Sequence, residues 1–249
     1  MDDYQRIVEK DIGIFIEEHR RMFGFEPEQV KALKEVMACS LDPGRPHAVG
    51  DVCCGLGQIS YHLKDFMMES RFTGIDISPE QIGEARRIFD GLGLSDRFEF
   101  HVGDIYDLGG FKDAFDVTLC WQTLFVLDGY ERPVQELIRA TRKGGHIYII
   151  SLFNEHDVDI HANIIDYSRP SGRSGLSVKY STYSLRKFED FCRRSGIESF
   201  DVHDFFIGID LPRPSHGGIG TYTLRLADGR RIQVSGGHLM NWKIVHMKV

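Results

Sequence analysis

A short stretch of the chain combines two glycines and an acid in a spacing that suits the binding of a nucleotide. Within residues 48–60, an apolar run ends at Asp51, and Gly55 and Gly57 follow before a helix-forming run begins. Glycine has no Cβ, so the backbone can turn tightly here and a ligand can lie against its N–H groups. This spacing predicts a strand, a glycine loop and a helix that together hold a nucleotide-type ligand.

Two further acids stand at comparable places after apolar runs. Asp76 ends the run 72–75 and lies nineteen residues after Gly57, a distance at which an acid accepts hydrogen bonds from ribose hydroxyls. Asp104 comes shortly after the predicted strand 98–102. The acid that precedes the glycine loop suits the cationic amine of an amino-acid moiety, a group that a pyrophosphate lacks. The three acids therefore predict a ligand that carries both a nucleoside and an amine.

One alternative is an NAD-dependent oxidoreductase. Its dinucleotide fingerprint has three glycines in the order G-x-G-x-x-G, whereas Ser60 stands where the third glycine would be. Such an enzyme would use Asp76 in the same way, but it gives no reason for Asp51 or for Asp104. The pattern of acids therefore favours a different ligand.

Residues 51–57, Asp-Val-Cys-Cys-Gly-Leu-Gly, resemble the first motif of the class I S-adenosylmethionine (SAM) methyltransferases, acid-x-G-x-G-x-G, with Cys53 at the first glycine. A similar Asp-x-Cys-Cys-Gly form occurs in the methyltransferases of ubiquinone and menaquinone biosynthesis. The resemblance implies SAM as the cofactor and S-adenosylhomocysteine as the product, with Asp104 accepting from the adenine amino group. It assigns these residues to cofactor binding: Asp51, Cys53, Gly55, Gly57, Asp76, Ile77, Gln81, Asp104, Ile105, Cys120 and Trp121.

The second requirement of such an enzyme is a place for the methyl acceptor. Methyl transfer from a sulfonium is a direct displacement, so the protein contributes mainly by aligning the nucleophile with the methyl group. An oxygen or nitrogen acceptor that is protonated at neutral pH also needs a base. The candidate catalytic residues are His156, His161 and Tyr222, with Asp159, Tyr180, His216 and His238 as alternatives.

The expected function is transfer of a methyl group from SAM to an oxygen or nitrogen of a small-molecule acceptor. Methyltransferases that act on nucleobase amines or glutamine amides usually carry an Asn/Asp-Pro-Pro-aromatic run after the fourth strand, and no such run follows residues 115–120. Trp121 and Gln122 stand there instead and are expected to line the cofactor or acceptor site. Two alternatives use the same cofactor: an enzyme of other chemistry, such as aminopropyl transfer, and a non-catalytic SAM-binding subunit.

The order of apolar and amphipathic runs predicts how these residues are positioned. Strand-like and helix-like segments alternate from 48 to 152, which is typical of a parallel sheet with helices on both faces and ligands at the carboxyl ends of the strands. The predicted fold is α/β, a Rossmann-like, doubly wound, seven-stranded sheet with an antiparallel last strand. Ser78 is predicted to cap a helix, with Gln81 closing a capping box, and Ser184 to cap the helix 185–194.

The rest of the chain is expected to cover the core or to be added to it. Two N-terminal helices are predicted at 4–22 and 27–37, and a β-hairpin at 221–235 follows from the turn residues within it. A long stretch without clear periodicity is expected to form a lid that sets acceptor specificity. The predicted units are an N-terminal helical cap at 1–45 and a SAM-binding methyltransferase domain at 46–249, with the lid at 153–183 and an insertion at 208–239.

The composition argues against several classes of function. The 249 residues include 37 acids and 30 Lys or Arg, a net charge of −7, which disfavours nucleic-acid binding because such proteins neutralise phosphates. Five cysteines in irregular spacing predict neither a disulfide framework nor a metal site. No run approaches the roughly 20 apolar residues that span a membrane. The expectation is a cytoplasmic enzyme for a small-molecule acceptor, with no metal, nucleic-acid or membrane partner, and compatible with a homo-oligomer.

Overall fold

The computed structural model describes residues 12–13, 16–168, 176–215 and 219–249. The predicted helix at 4–22 lies partly outside these ranges, and His216 lies outside them. Residues 16–21 are helical and lead into a short 3-10 turn at Met22–Gly24. Within the described ranges, none of the helices is long and apolar enough to cross a membrane.

Besides the helical segment 16–21, the described part of the chain forms twelve strands and five α-helices. The strands are β1 (Ala48–Val52), β2 (Arg71–Asp76), β3 (Phe98–Val102), β4 (Phe115–Trp121), β5 (Thr141–Asn154), β6 (Ile160–Asp166), β7 (Leu176–Ser184), β8 (Ser199–Asp204), β9 (Thr221–Arg225), β10 (Arg231–Ser235), β11 (His238–Leu239) and β12 (Trp242–Lys248). The helices are α1 (Glu28–Ser40), α2 (Gln58–Leu63), α3 (Pro79–Gly91), α4 (Glu131–Ala140) and α5 (Leu185–Arg194).

The main sheet has nine strands in the described part of the chain, two more than predicted: seven follow the order β3-β2-β1-β4-β5-β12-β8, and β6 and β7 join it through β5. The first five are parallel to one another, and β12 runs antiparallel between β5 and β8. This order confirms the predicted doubly wound sheet with an antiparallel last strand. Because β1 to β4 are parallel, the loops that follow them meet at one edge of the sheet.

Helices cover both faces of this sheet. On one face, α1, α2 and α3 bury apolar side chains that include Leu33, Ile59 and Phe89. On the other face, α4 and α5 bury Leu137 and Phe188. Each buried side chain of this size contributes about 1.5–3 kcal/mol of transfer free energy. The two layers therefore hold the strand ends, and the residues on them, in fixed positions.

The segment 153–183 differs from the expectation of an irregular stretch. β6 and β7 pair antiparallel with one another, and β7 also pairs with the end of β5 through Phe153 and Tyr183. The alternation of Ile160, Ala162 and Ile164 with other residues is a strand pattern, but its three apolar positions make a weak signal. The expected irregular lid is therefore, in its described part, a β-hairpin joined to the sheet.

The predicted helix caps also differ in part. The Ser78 hydroxyl oxygen accepts from the Gln81 N–H at 3.2 Å, which caps α3 as predicted. The reciprocal bond of the capping box is not made, because the Ser78 N–H donates to Asp76 at 3.0 Å. Ser184 stands at the N-cap position of α5, but its hydroxyl has no hydrogen-bond partner among the described residues. Only one of the two serines therefore acts as a side-chain cap.

The predicted hairpin is present, since β9 and β10 pair antiparallel, and β11 adds a third strand to form a separate small sheet. This small sheet lies against β7. The hydroxyls of Tyr180 and Ser235 are 3.3 Å apart, and the Thr182 hydroxyl lies 3.0 Å from Nε2 of His238. The two additions to the common core therefore contact one another.

Candidate functional site

The glycine loop after β1 takes a left-handed backbone conformation at three positions. The φ angle is 63° at Cys53, 57° at Gly55 and 76° at Gly57. Glycine adopts such angles freely, whereas the same conformation costs a residue with a Cβ roughly 1–2 kcal/mol. The N–H groups of Cys53 and Cys54 both donate to the carbonyl of Ile75, at 2.7 and 3.1 Å. These bonds tie the loop to the end of β2.

Two buried carboxylates flank this loop. Asp51 accepts a hydrogen bond from the Ser60 hydroxyl at 2.7 Å, and burial raises its pKa to about 6. Asp76 accepts from the backbone N–H groups of Gly55 at 2.9 Å and Ser78 at 3.0 Å, and burial raises its pKa as well. A carboxylate offers about four acceptor positions. Both acids therefore keep capacity for a ligand after these bonds are made.

A cavity opens where the loop and the strand ends meet. The third acid, Asp104, lines it, and Oδ1 of this acid accepts from the Tyr106 N–H at 2.9 Å. Most of the residues predicted for cofactor binding also lie on its wall. These are Asp51, Cys53, Gly55, Asp76, Ile77, Gln81, Asp104, Ile105 and Trp121.

Two other residues predicted for cofactor binding, Gly57 and Cys120, are not among the residues that line the cavity. A Cβ on Gly57 would lie 2.7 Å from the ring of Phe100, so this glycine permits close packing of the loop on β3. Cys120 is buried in β4, and burial raises the pKa of its thiol. The structure gives both residues a packing role beneath the loop.

The structure does not bring the three predicted catalytic residues to this cavity. His156 is exposed after β5, where its N–H donates to Asn154 at 2.8 Å. Nδ1 of His161 lies 2.9 Å from the hydroxyl of Ser181, in the β6–β7 pair. Tyr222 lies in β9, with a guanidinium 4.9 Å from its ring centre. Their roles as bases stay predictions, without support from the geometry of the cavity.

His19 is a cavity residue that the sequence did not indicate. Its Nδ1 lies 3.1 Å from Oε1 of Gln81, and since an amide oxygen only accepts, Nδ1 carries the hydrogen. Burial lowers the pKa of His19, so the ring is neutral at pH 7 with a lone pair on Nε2. The neighbouring Arg20 pairs with Glu84 of α3 at 2.6 Å. This ion pair helps to hold the helical segment 16–21 over the cavity.

The end of β4 forms another part of the wall, through Trp121, Gln122 and Thr123. The Thr123 hydroxyl donates to the Trp121 carbonyl at 2.9 Å, and the Gln122 N–H donates to Ile150 at 3.0 Å. The rule that ligands bind at the carboxyl ends of parallel strands is enough to find this position from the sequence. No comparable rule points to His19, which lies outside the sheet.

Comparison with known proteins supports a methyltransferase domain. Residues 49–145 match the family model described as a methyltransferase domain. The ajmaline N-methyltransferase of Rauvolfia serpentina is 32% identical over 108 residues, which cover 43% of this chain and 36% of that protein. The match therefore spans about a third of the length of that relative.

Two solved structures share the fold. A SAM-dependent methyltransferase from Thermotoga maritima has a TM-score of 0.55 at 17% identity, and the match covers 98% of both chains. The [4+2]-cyclase SpnF has a TM-score of 0.55 at 23% identity, covering 70% of this chain and 60% of that one. Residues 49–145 therefore match a methyltransferase domain, and the order of the strands agrees with the Rossmann-like methyltransferase fold that the motif at 51–57 resembles.

Proposed function

We propose that the chain is an enzyme that transfers the methyl group of SAM to a nitrogen or oxygen of a small-molecule acceptor, at the cavity beside the glycine loop. The observation that carries this proposal is the convergence of Asp51, Asp76 and Asp104 on one cavity. SAM has a cationic amine, ribose hydroxyls and an adenine amino group, so it offers a hydrogen-bond donor to each of the three acids.

The shape of the cavity is also compatible with this cofactor. A Cβ on Gly55 would lie 2.9 Å from the ring of His19, so the bare backbone at this position keeps open a space that a side chain would fill. In chain order, the three acids would take the amine, the ribose hydroxyls and the adenine amino group. Ile77 and Ile105 would lie against the adenine ring.

When bound, SAM supplies an electrophilic methyl group. The tasks of the protein are to hold the acceptor in line and to take up the proton that the acceptor loses. His19 suits the second task because its Nδ1–H is committed to Gln81, which leaves the Nε2 lone pair of a neutral ring to accept a proton. We therefore propose His19 as the proton acceptor, in place of the bases predicted from the sequence.

The first test is calorimetric titration of the purified protein with SAM, S-adenosylhomocysteine and NAD. We expect micromolar binding of the two sulfur ligands and none of NAD. Asp76→Asn should weaken SAM binding about 10- to 100-fold, because a hydrogen bond to a charged group contributes roughly 1.5–3 kcal/mol. Glu69→Gln removes the same charge from an exposed position and should bind SAM as the wild type does. Preference for NAD, or equal binding by both variants, would contradict the proposal.

A second candidate is an enzyme that binds SAM for other chemistry. The similarity in fold to the [4+2]-cyclase SpnF supports this second candidate, since the name of that protein gives a reaction other than methyl transfer on a similar fold. Mass spectrometry distinguishes methyl transfer from other chemistry. Methyl transfer converts SAM to S-adenosylhomocysteine and adds about 14 Da to the acceptor, whereas other uses of the cofactor do not produce this pair of changes.

A further inference from the structure

Gln122 has a backbone conformation that non-glycine residues rarely adopt. Its φ angle is 48°, and in the described part of the chain only Cys53 and Asp113 are other non-glycine residues with positive φ. Gln122 and Cys53 line the same cavity. Strained residues persist where the surrounding structure holds them, and they cluster at functional sites. The backbone strain at Gln122 therefore indicates a functional role for its side chain in the cavity.

A partner on α1 fixes the orientation of this side chain. Nε2 of Gln122 donates to Oε1 of Gln29, which is only 7% exposed. This bond uses one hydrogen of the NH2 group and directs the amide so that its carbonyl oxygen, Oε1, is available to a ligand. No described residue donates a hydrogen bond to this oxygen. Because a carbonyl oxygen only accepts, it selects a ligand group that carries an N–H or O–H.

The charges in the cavity distinguish between these two groups. The described lining contains Asp51, Asp76 and Asp104 but neither Lys nor Arg. Methylation of an amine builds positive charge on nitrogen, which nearby carboxylates stabilise, whereas deprotonation of a hydroxyl builds negative charge, which they oppose. The electrostatics therefore favour an amine.

Resting on the proposed function, we infer that the methyl acceptor is a primary or secondary amine whose N–H is held by the amide oxygen of Gln122. The nitrogen lone pair forms the new nitrogen–carbon bond as the carbon–sulfur bond breaks, and the electron pair of the broken bond stays on sulfur. The proton that nitrogen loses passes to Nε2 of His19. Gln122 orients the acceptor and takes no proton.

The test begins with binding in the absence of turnover. Protein saturated with S-adenosylhomocysteine is titrated calorimetrically with benzylamine and with benzyl alcohol, which have nearly the same shape. We expect benzylamine to bind at least about tenfold more tightly than benzyl alcohol, and Gln122→Leu to weaken the binding of benzylamine about tenfold, although the carboxylates that favour an amine remain. Gln122→Glu keeps an oxygen that accepts an N–H and should keep the preference. Gln135→Leu, an exposed position on α4, should behave as the wild type does.

The second readout is turnover of N-methylbenzylamine with SAM. Gln122→Leu should raise KM about tenfold or more with a smaller change in kcat, because it removes a contact that holds the amine before reaction. S-adenosylhomocysteine should bind every variant within about twofold of the wild type, which shows that the cofactor site is intact.

Three results would overturn the inference while leaving the proposed function standing: equal binding of the alcohol and the amine, binding of benzylamine that is unchanged in Gln122→Leu, or binding of neither probe. Failure of the wild type to bind S-adenosylhomocysteine would overturn the proposed function itself, and this inference with it.

Discussion

Burial of the Asp51 carboxylate lowers the unfolding free energy by an amount that depends on pH. Its pKa is about 6 in the folded protein against 3.8 ordinarily. Between these values the folded protein holds a proton that the unfolded chain has released, so the contribution of Asp51 to the unfolding free energy falls as pH rises. Above pH 6 the fold carries the full cost of the buried charge, about 3 kcal/mol. A cationic ligand group would offset this cost, which suits a binding role.

The affinity for SAM should therefore depend on pH through this residue. In the proposed binding mode only the ionised form of Asp51 pairs with the SAM amine, so the Kd should rise roughly tenfold from pH 7 to pH 5. Calorimetric titrations between pH 5 and pH 8 measure it. Asp51→Asn should bind more weakly at pH 7 and show a flatter profile, with the remaining slope due to Asp76. Parallel profiles for wild type and variant would exclude Asp51 as the titrating group.

Cys53 offers a second test at the scale of one residue, because it occupies a glycine position of the motif with a φ of 63°. Cys53→Gly should leave the unfolding free energy within about 1 kcal/mol, since relief of the strain offsets the greater freedom of the unfolded chain. Cys53→Val should lower it by roughly 1–3 kcal/mol, because a β-branched side chain tolerates this conformation poorly. Urea unfolding measures both. A valine variant as stable as the glycine variant would show that the loop is not strained there.

The helices α3 and α5 both begin after a serine at the N-cap position, which allows the two serines to be compared. Both helices have serine at the N-cap, but only Ser78 accepts a backbone hydrogen bond, from Gln81. The hydroxyl of Ser184 is buried without a partner in the described part of the structure. A buried hydroxyl that makes no hydrogen bond destabilises the fold. The same residue type at the same helix position should therefore have opposite effects on stability.

We expect Ser78→Ala to cost about 1 kcal/mol and to lower the Tm by roughly 2–4 °C in a chain of this size. Ser184→Ala should leave the Tm unchanged or raise it, since it removes a buried hydroxyl that makes no bond. Differential scanning calorimetry of the two variants provides the comparison. A loss of equal size in both would indicate that hydrogen bonding at the cap is not the cause.

The elements also show how far the sequence can predict this site. Asp51, Gly55 and Asp76 could be placed because strand ends and glycine loops follow from local patterns. His19 could not, since its bond to Gln81 joins residues 62 apart in the chain and depends on how the N-terminal helix packs. His161 was selected for the polarity of its segment, but polarity does not reveal whether that segment reaches the cavity, and none of the described lining residues lies on β6 or β7.

A cluster of histidines lies on β5, β8 and β12, three neighbouring strands of the main sheet. His246 is buried against His146, whose Nδ1 is 2.9 Å from its Nε2, and Asp201 and His203 also lie near it. Burial and the neighbouring histidines lower the pKa of His246 to about 4 from 6.5. The unfolded chain therefore binds a proton here between pH 6.5 and pH 4 that the folded protein excludes, and stability falls as pH falls.

His246→Gln should remove this dependence, which amounts to at most about 3 kcal/mol of unfolding free energy. Urea unfolding at pH 7.5 and pH 4.5 measures the change in unfolding free energy with pH. This change is compared between variant and wild type, because Asp51 contributes with the opposite sign in part of this range. His101→Gln, at a half-exposed position on β3, should follow the wild type. Identical pH profiles for all three proteins would contradict the prediction.

The position of β12 has a consequence for how the protein is made. Among the described strands, only β12 pairs with both β5 and β8. It comes after both in the chain, and its Ile244 pairs with Ile150, 94 residues earlier. While the ribosome is still synthesising residues 242–248, β5 and β8 each have an open edge, and open edges invite aggregation. Closure of the sheet therefore waits for this segment, so that only a chain translated past it can complete the hydrophobic core to which Ile244, Val245 and Met247 belong.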